Sequence, residues 1–162
     1  MKVVGIDPGT AACGYGIVEE RGGRLTALEH GCWRTASGER LEFRLRAIFD
    51  SVATLIASHR PDAVALEDSF VGADARTALS IGQARGAVLV ACATAGVASS
   101  EYTPNRVKSA VCGYGHADKS QVQRMVQRLL GLPAPPRPNH AADALAVAIC
   151  HALAPPLLEA AG

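Results

Sequence analysis

Aromatic side chains are scarce in this chain: they make up 4% of 162 residues, with one Trp, three Tyr and three Phe. The core must therefore be built from Ala, Val, Leu and Ile, and an aromatic residue set in a loop becomes conspicuous. Charge excess is absent too. The formal net charge is +1, so bulk electrostatics alone argues for neither a nucleic-acid coat nor a membrane-surface protein. Five cysteines (Cys13, Cys32, Cys92, Cys112, Cys150) are far apart, odd in number and form no CxxC pair. That excludes a disulfide framework or a zinc knuckle as the organising device, and predicts reduced, mostly buried thiols in a cytoplasmic protein. Gly and polar residues interrupt every apolar run short of the ~18–20 residues of a membrane span, so no span is expected. The N-terminus passes into a strand pattern without signal-peptide features. No internal repeat appears, and no low-complexity region beyond an enrichment in alanine.

What is present is ordinary globular material, 49% hydrophobic and 19% charged, in a length that fits one domain. The expected organisation is a single domain over 1–154 with a short C-terminal tail, 155–162, that carries no positive charge. The small net charge hides a mild gradient. Residues 1–68 hold eight Lys and Arg against ten Asp and Glu, and residues 69–162 hold eight against five. The basic residues of the second part gather around 106–137.

Hydrophobic periodicity predicts three strands, helix, strand, helix, strand, then helices. Lys2-Val3-Val4-Gly5-Ile6-Asp7 is a buried strand closed by the Pro8-Gly9 turn. Gly14 to Val18 and about 25–34 are strands joined through Gly22-Gly23. Leu41, Leu45, Ile48, Phe49, Val52, Leu55 and Ile56 keep helical spacing, giving a helix of about 39–59. Ala63-Val64-Ala65-Leu66 is a short buried strand, about 74–95 a long helix and Val97–Tyr102 a fifth strand. Thr103-Pro104 starts a helix as N-cap and first position. Asp118-Lys119-Ser120-Gln121 has the form of a capping box opening a helix at 119–130. A Pro-rich stretch, 133–138, precedes a last helix at about 140–153. The fold class is α/β, with a five-stranded mixed sheet, antiparallel first and parallel later, flanked by helices.

Acids stand at three of the places where these elements end. Asp7 closes one buried strand and Glu67 another, while His140 and Asp143, three apart on a helix, share a face. Each alone has a plain structural explanation: a turn aspartate, a helix-start histidine meeting solvent, a first-turn acid favoured by the helix dipole. Together they describe a cavity whose carboxylates would repel unless cations neutralised them. Oxygen donors suit Mg²⁺ or Mn²⁺, and one imidazole is compatible with Mn²⁺. Two such ions can activate water and stabilise the oxygen leaving a phosphodiester. Strand alternation turns Asp68 to the opposite face from Glu67.

The ordered segments Gly5-Ile6-Asp7-Pro8-Gly9-Thr10 with Gly14-Tyr15-Gly16, Leu66-Glu67-Asp68-Ser69-Phe70, Ile81-Gly82-Gln83-Ala84-Arg85-Gly86, Lys119-Ser120-Gln121-Val122 and His140-Ala141-Ala142-Asp143-Ala144-Leu145-Ala146 resemble the RuvC family of bacterial Holliday-junction resolvases. The resemblance covers nearly the whole chain. It implies a ribonuclease-H-like fold and a homodimer that nicks two opposed strands of a four-way DNA junction in recombination and repair. The products would be ligatable, with 5′-phosphate and 3′-hydroxyl ends. Asp7, Glu67, His140 and Asp143 would be the catalytic residues and ligands of two Mg²⁺ per site, with Mn²⁺ plausible. Many family members carry an aspartate where this chain has His140. That change removes a negative charge and adds a ligand that must be unprotonated to bind. Phe70 would stack on an unpaired base, and Lys108 and Lys119 would approach the backbone near the cut. Arg76, Arg106 and Arg124 would add phosphate contacts. The Gly113-Tyr114-Gly115-His116 loop would touch DNA, the helix bearing Gly82 and Gly86 would pair the subunits, and RuvA and RuvB would be branch-migration partners.

Three other readings are set against this one. The Asp7-Pro8-Gly9-Thr10 turn also suits an actin-like ATP-dependent kinase, which needs two such domains to enclose its nucleotide. A nuclease of ribosomal RNA precursors shares the fold, but the Phe70 loop and the basic helix segment argue against it. A purely structural junction-binding protein would have no need of the acidic set.

Overall fold

The computed structural model describes residues 1–68 and 74–154. The loop Ser69-Phe70-Val71-Gly72 and the tail 155–162 lie outside the described residues. The element order is β1 (Lys2–Asp7), β2 (Ala12–Arg21), β3 (Arg24–Arg34), α1 (Leu41–His59), β4 (Ala63–Glu67) and α2 (Ala75–Ala95). Then follow β5 (Ala98–Tyr102), α3 (Pro104–Cys112), α4 (Lys119–Leu130) and α5 (Asn139–Ala152). The sheet order is β3-β2-β1-β4-β5. β1 to β3 form an antiparallel meander, while β4 and β5 join parallel on the other side of β1. Gly22 and Gly23, at φ 58° and 82°, make the tight turn between β2 and β3. Such positive dihedrals suit a two-residue hairpin and cost glycine nothing sterically.

Alternation along the strands divides the interior into two layers. Val3, Val18 and Ala65 face α3, α4 and α5; Val4, Ile6, Ile17, Val64 and Leu66 face α1 and α2. Full burial of each such aliphatic side chain contributes roughly 1.5–3 kcal/mol. α5 is buried from Ala141 to Cys150 except at Asp143. It crosses the sheet diagonally, from His140 over β2 to His151, whose Nδ1 lies 2.8 Å from the Tyr102 hydroxyl at the end of β5.

Three glycines let α5 lie this close. A Cβ at Gly5 would overlap the Ala144 carbonyl oxygen, and one at Gly14 the His140 carbonyl oxygen. At Gly16 it would come within 2.6 Å of Leu145 Cδ2. Strand glycines weaken a sheet locally but permit another backbone to approach.

α4 opens with the expected capping box, in which the Asp118 side chain accepts from the Gln121 N–H and the Gln121 side chain accepts from the Asp118 N–H. Cys13, Cys92 and Cys150 are buried and all five thiols are free. One expectation needs correction: α2 is long and apolar enough, by length and composition, to cross a membrane. Its Ala, Val and Leu residues outweigh Gly82, Gly86 and the two arginines that were read as interruptions. Only 22% of its most apolar 18-residue stretch is buried inside this chain.

Candidate active site

The topology brings two acids side by side before any helix is added. β1 and β4 run parallel with Ile6 opposite Leu66, so the next residues, Asp7 and Glu67, end neighbouring strands at the same edge. Both continue the alternation of the layer facing α5, Asp7 after Val3 and Gly5, Glu67 after Ala65. α5 then contributes His140 and Asp143 from its first turn. Gly14, paired with Asp7 across β1 and β2, leaves the room in which the His140 backbone sits.

All four residues line one cavity of about 440 Å³, together with Lys108 of α3 and Lys119 of α4. His140 Nδ1 lies 2.7 Å from Asp7 Oδ2, and Lys119 Nζ lies 2.9 Å from Asp143 Oδ2. The carboxylates of Asp7 and Asp143 are thus each paired to an internal cation or proton donor. The hydrogen bond to Asp7 raises the His140 pKa above 6.5, against the lowering effect of burial. Burial raises the Asp143 pKa above its ordinary value despite the opposing pull of Lys119. Burial depresses Lys119, but the bond to Asp143 and the combined attraction of the Asp143, Asp7 and Glu67 carboxylates together outweigh it, and the pKa is raised.

As they stand, no three His, Cys, Asp or Glu side chains among the described residues are gathered closely enough to hold an ion. The donor set itself fits one: three carboxylates and one imidazole share a cavity, the chemistry that suits Mg²⁺ or Mn²⁺. The lysine and the imidazole bonded to Asp143 and Asp7 occupy the electrostatic role that a divalent ion would take over.

The basic residues divide by position. Lys108 and Lys119 line the acidic cavity. Arg76 lines a second cavity of about 430 Å³ that shares Asp7 and His140 and is bordered by Thr10, Thr77 and Ser80. Arg106 lies over the Tyr102 ring, 5.4 Å from its centroid. Arg124 lines a separate cavity between α3 and α4 with Tyr114 and Arg128. Asp68 turns away from the site, as alternation predicts, and interacts electrostatically with Arg85 of α2. Gly5, Gly14 and Gly16 have a role that their positions in the sequence do not reveal, as the seat of α5. The available signal was glycine at alternate strand positions, on one face, in a chain with an alanine-rich helix to receive.

Comparison with known proteins agrees with this geometry. The family model for RuvC, crossover junction endodeoxyribonuclease, matches residues 3–151. The RuvC of Desulfitobacterium hafniense is 48% identical over 162 residues, covering 100% of this chain and 98% of that one. The RuvC of Moorella thermoacetica is 52% identical over 152 residues, covering 94% and 91%. Among solved structures, T. thermophilus RuvC in complex with a Holliday junction substrate superposes with a TM-score of 0.90 at 42% identity, covering 94% of this chain and 93% of that one. The yeast mitochondrial Holliday junction resolvase Ydc2, at 12% identity and a TM-score of 0.61, shares the fold. An α/β chain whose strand-end acids meet a His-x-x-Asp helix, and which matches that model from β1 to the last turn of α5, belongs to the RuvC family of crossover junction endodeoxyribonucleases.

Proposed function

We propose that this chain resolves Holliday junctions, as a metal-dependent endonuclease that nicks two opposed strands symmetrically and leaves ligatable 5′-phosphate and 3′-hydroxyl ends. The observation that carries the reading is the convergence of Asp7, Glu67, His140 and Asp143 with Lys108 and Lys119 on one cavity. Divalent-metal dependence belongs to the family; that the ions are Mg²⁺, two per site, with Mn²⁺ able to replace them, is our reading. Asp7, Glu67, His140 and Asp143 would hold them. The chemistry such ions supply when bound is activation of water and stabilisation of charge on the phosphodiester.

The chain's own residues do the rest. The rigid ends of β1 and β4 fix the Asp7 and Glu67 carboxylates relative to each other, which preserves the orientation that in-line displacement needs. To hold an ion His140 would have to give up its bond to Asp7, and its proton when it carries one. Lys119, released from Asp143, is free to face a phosphate, and Lys108 offers a second positive charge on the same wall. Arg76 stands across Asp7 and His140 from the lysines, where it would contact backbone on the far side of the cut. Arg106, Arg124 and Phe70 remain DNA contacts by resemblance alone.

Symmetric cutting requires two sites related by a two-fold axis, and we assign the pairing surface to α2. Leu79 and Val90 are 63% and 57% exposed there, and a Cβ at Gly86 would meet nothing within 4 Å. Among the described residues nothing packs on the helix face at Gly86. Residues 1–154 would form one nuclease domain, acting in the cytoplasm, and engagement of RuvA and RuvB is carried over from the family.

A mobile four-way junction incubated with Mg²⁺ or Mn²⁺, beside Asp7→Asn, tests the function. Paired nicks that ligase reseals are expected from the wild type, and junction binding without cutting from the variant. Equal cutting of plain duplex, or undiminished cutting by Asp7→Asn, would refute the proposal.

A further inference from the structure

Behind the acidic cavity, on the opposite face of the sheet, a second group of charges links the site to α2. Arg85 donates two hydrogen bonds to Glu101 of β5, Nε to Oε1 at 2.7 Å and Nη2 to Oε2 at 2.6 Å. A bidentate guanidinium–carboxylate pair has a fixed orientation and is stronger than a single-point contact. Its two side chains are 32% and 30% exposed, so it is largely shielded by the fold. Glu101 pairs in register with Leu66, the residue immediately before Glu67. One residue beyond Glu67, the Asp68 N–H donates to the Tyr102 carbonyl at 2.9 Å, extending the β4–β5 contact past the strand end. Asp68 also attracts Arg85 electrostatically, and its Oδ1 is buried without a hydrogen-bond partner among the described residues. One arginine thus addresses two acids flanking Glu67, one on β5 opposite the preceding residue and one immediately after it.

The geometry points to Arg85 as a positioning residue: by clamping the ends of β4 and β5 to α2, it holds Glu67 at the place where that carboxylate must serve the ions. The inference rests on the active-site reading above and adds a residue outside the lining of the acidic cavity. Because Arg85 stands on the helix proposed to pair the subunits, one residue from Gly86, the clamp also ties the strand that bears Glu67 to that surface. Loss of a plain stabilising ion pair would lower the melting temperature and leave ion affinity alone. Loss of a clamp on Glu67 lowers both, because groups that support a ligand from behind typically change metal affinity or activity by about 10–100-fold when removed.

The test compares wild type, Arg85→Ala, Arg85→Lys and the double charge swap Arg85→Glu with Glu101→Arg. Val52→Ala, in the buried core of α1, is a destabilised control. Hydrogen exchange of the Asp68 amide is followed in metal-free protein, and Mn²⁺ binding by electron paramagnetic resonance. Arg85→Ala should speed exchange at Asp68 and weaken Mn²⁺ binding by about 10-fold, while metal-free junction binding holds. Arg85→Lys, which keeps a positive charge facing Asp68 but cannot make the two-pronged contact, should recover part of the affinity, and the charge swap, which sets a carboxylate against Asp68, should recover less. The clamp is overturned if Mn²⁺ affinity depends on Asp7 but not on Arg85, or if Val52→Ala weakens it as much as Arg85→Ala. If Asp7→Asn leaves wild-type Mn²⁺ binding intact, the active-site reading itself fails, a result distinct from either.

Discussion

His140 is the nitrogen donor among three carboxylates on the cavity wall, and its geometry predicts its behaviour. The imidazole sits 2.7 Å from Asp7 Oδ2, and that contact raises its pKa above 6.5. In metal-free protein its stabilising effect is fully present below 6.5 and is lost as pH rises through the raised value. Ion binding has the opposite dependence, because a coordinating imidazole must be unprotonated. We predict that cutting at subsaturating Mg²⁺ declines as pH falls through that raised value. His140→Asp should shift this descent to lower pH and alter the Mg²⁺-to-Mn²⁺ activity ratio; a variant unchanged in both would contradict a ligand role. An NMR titration of His140 should find its pKa above 6.5 without ions and lowered by Mn²⁺-mimicking diamagnetic ions such as Mg²⁺. Asp143 gives the complementary case. Burial raises its pKa, so its ionised form opposes folding at neutral pH. Asp143→Asn should melt at a higher temperature than the metal-free wild type while losing activity, a stability–function conflict common at active sites. A melting temperature lowered by that substitution would show that the Lys119 pair outweighs burial.

At the scale of elements, the decisive device is the seat of α5. Gly14→Ala would drive a Cβ into the His140 carbonyl oxygen and to 2.9 Å of His140 Cβ. Overpacking of this kind typically costs about 1–3 kcal/mol, and here it displaces the turn that bears two of the four site residues. The expected result is a lowered melting temperature and a loss of cutting larger than a core substitution of equal cost produces. Cutting that merely tracks stability would contradict the seat. The strands, helices and capping box were legible because each rests on local signals: Pro8-Gly9 after an apolar run, Gly22-Gly23 between alternating segments, Asp118 three before Gln121. Asp7 and Glu67 were legible for the same reason, as charges where buried strands stop. The seat was not, because a glycine in a strand shows no partner until α5 is laid across it. The Arg85–Glu101 pair joins residues 16 apart on a helix and a strand, and no local periodicity foretells it.

Across the whole molecule, the sheet keeps its two faces for two tasks. One face carries α5 and the acidic cavity; the other carries α1 and α2, whose outward apolar residues are left uncovered by the described residues. α2 has the length and composition of a membrane span because its Ala, Val and Leu residues outweigh its interruptions. If α2 pairs two copies, Leu79→Glu should turn a dimer into a monomer by sedimentation and abolish paired nicking while each subunit keeps its fold; a persistent dimer would move the interface elsewhere. We read the side chains of β1, β4 and α5 as a single ion-binding site. Anomalous diffraction from crystals soaked in Mn²⁺ should then show manganese peaks in the cavity bounded by Asp7, Glu67, His140 and Asp143, with His140 turned from Asp7 and Lys119 from Asp143. Manganese absent from that cavity, or bound there without His140 and with both internal pairs intact, would contradict it.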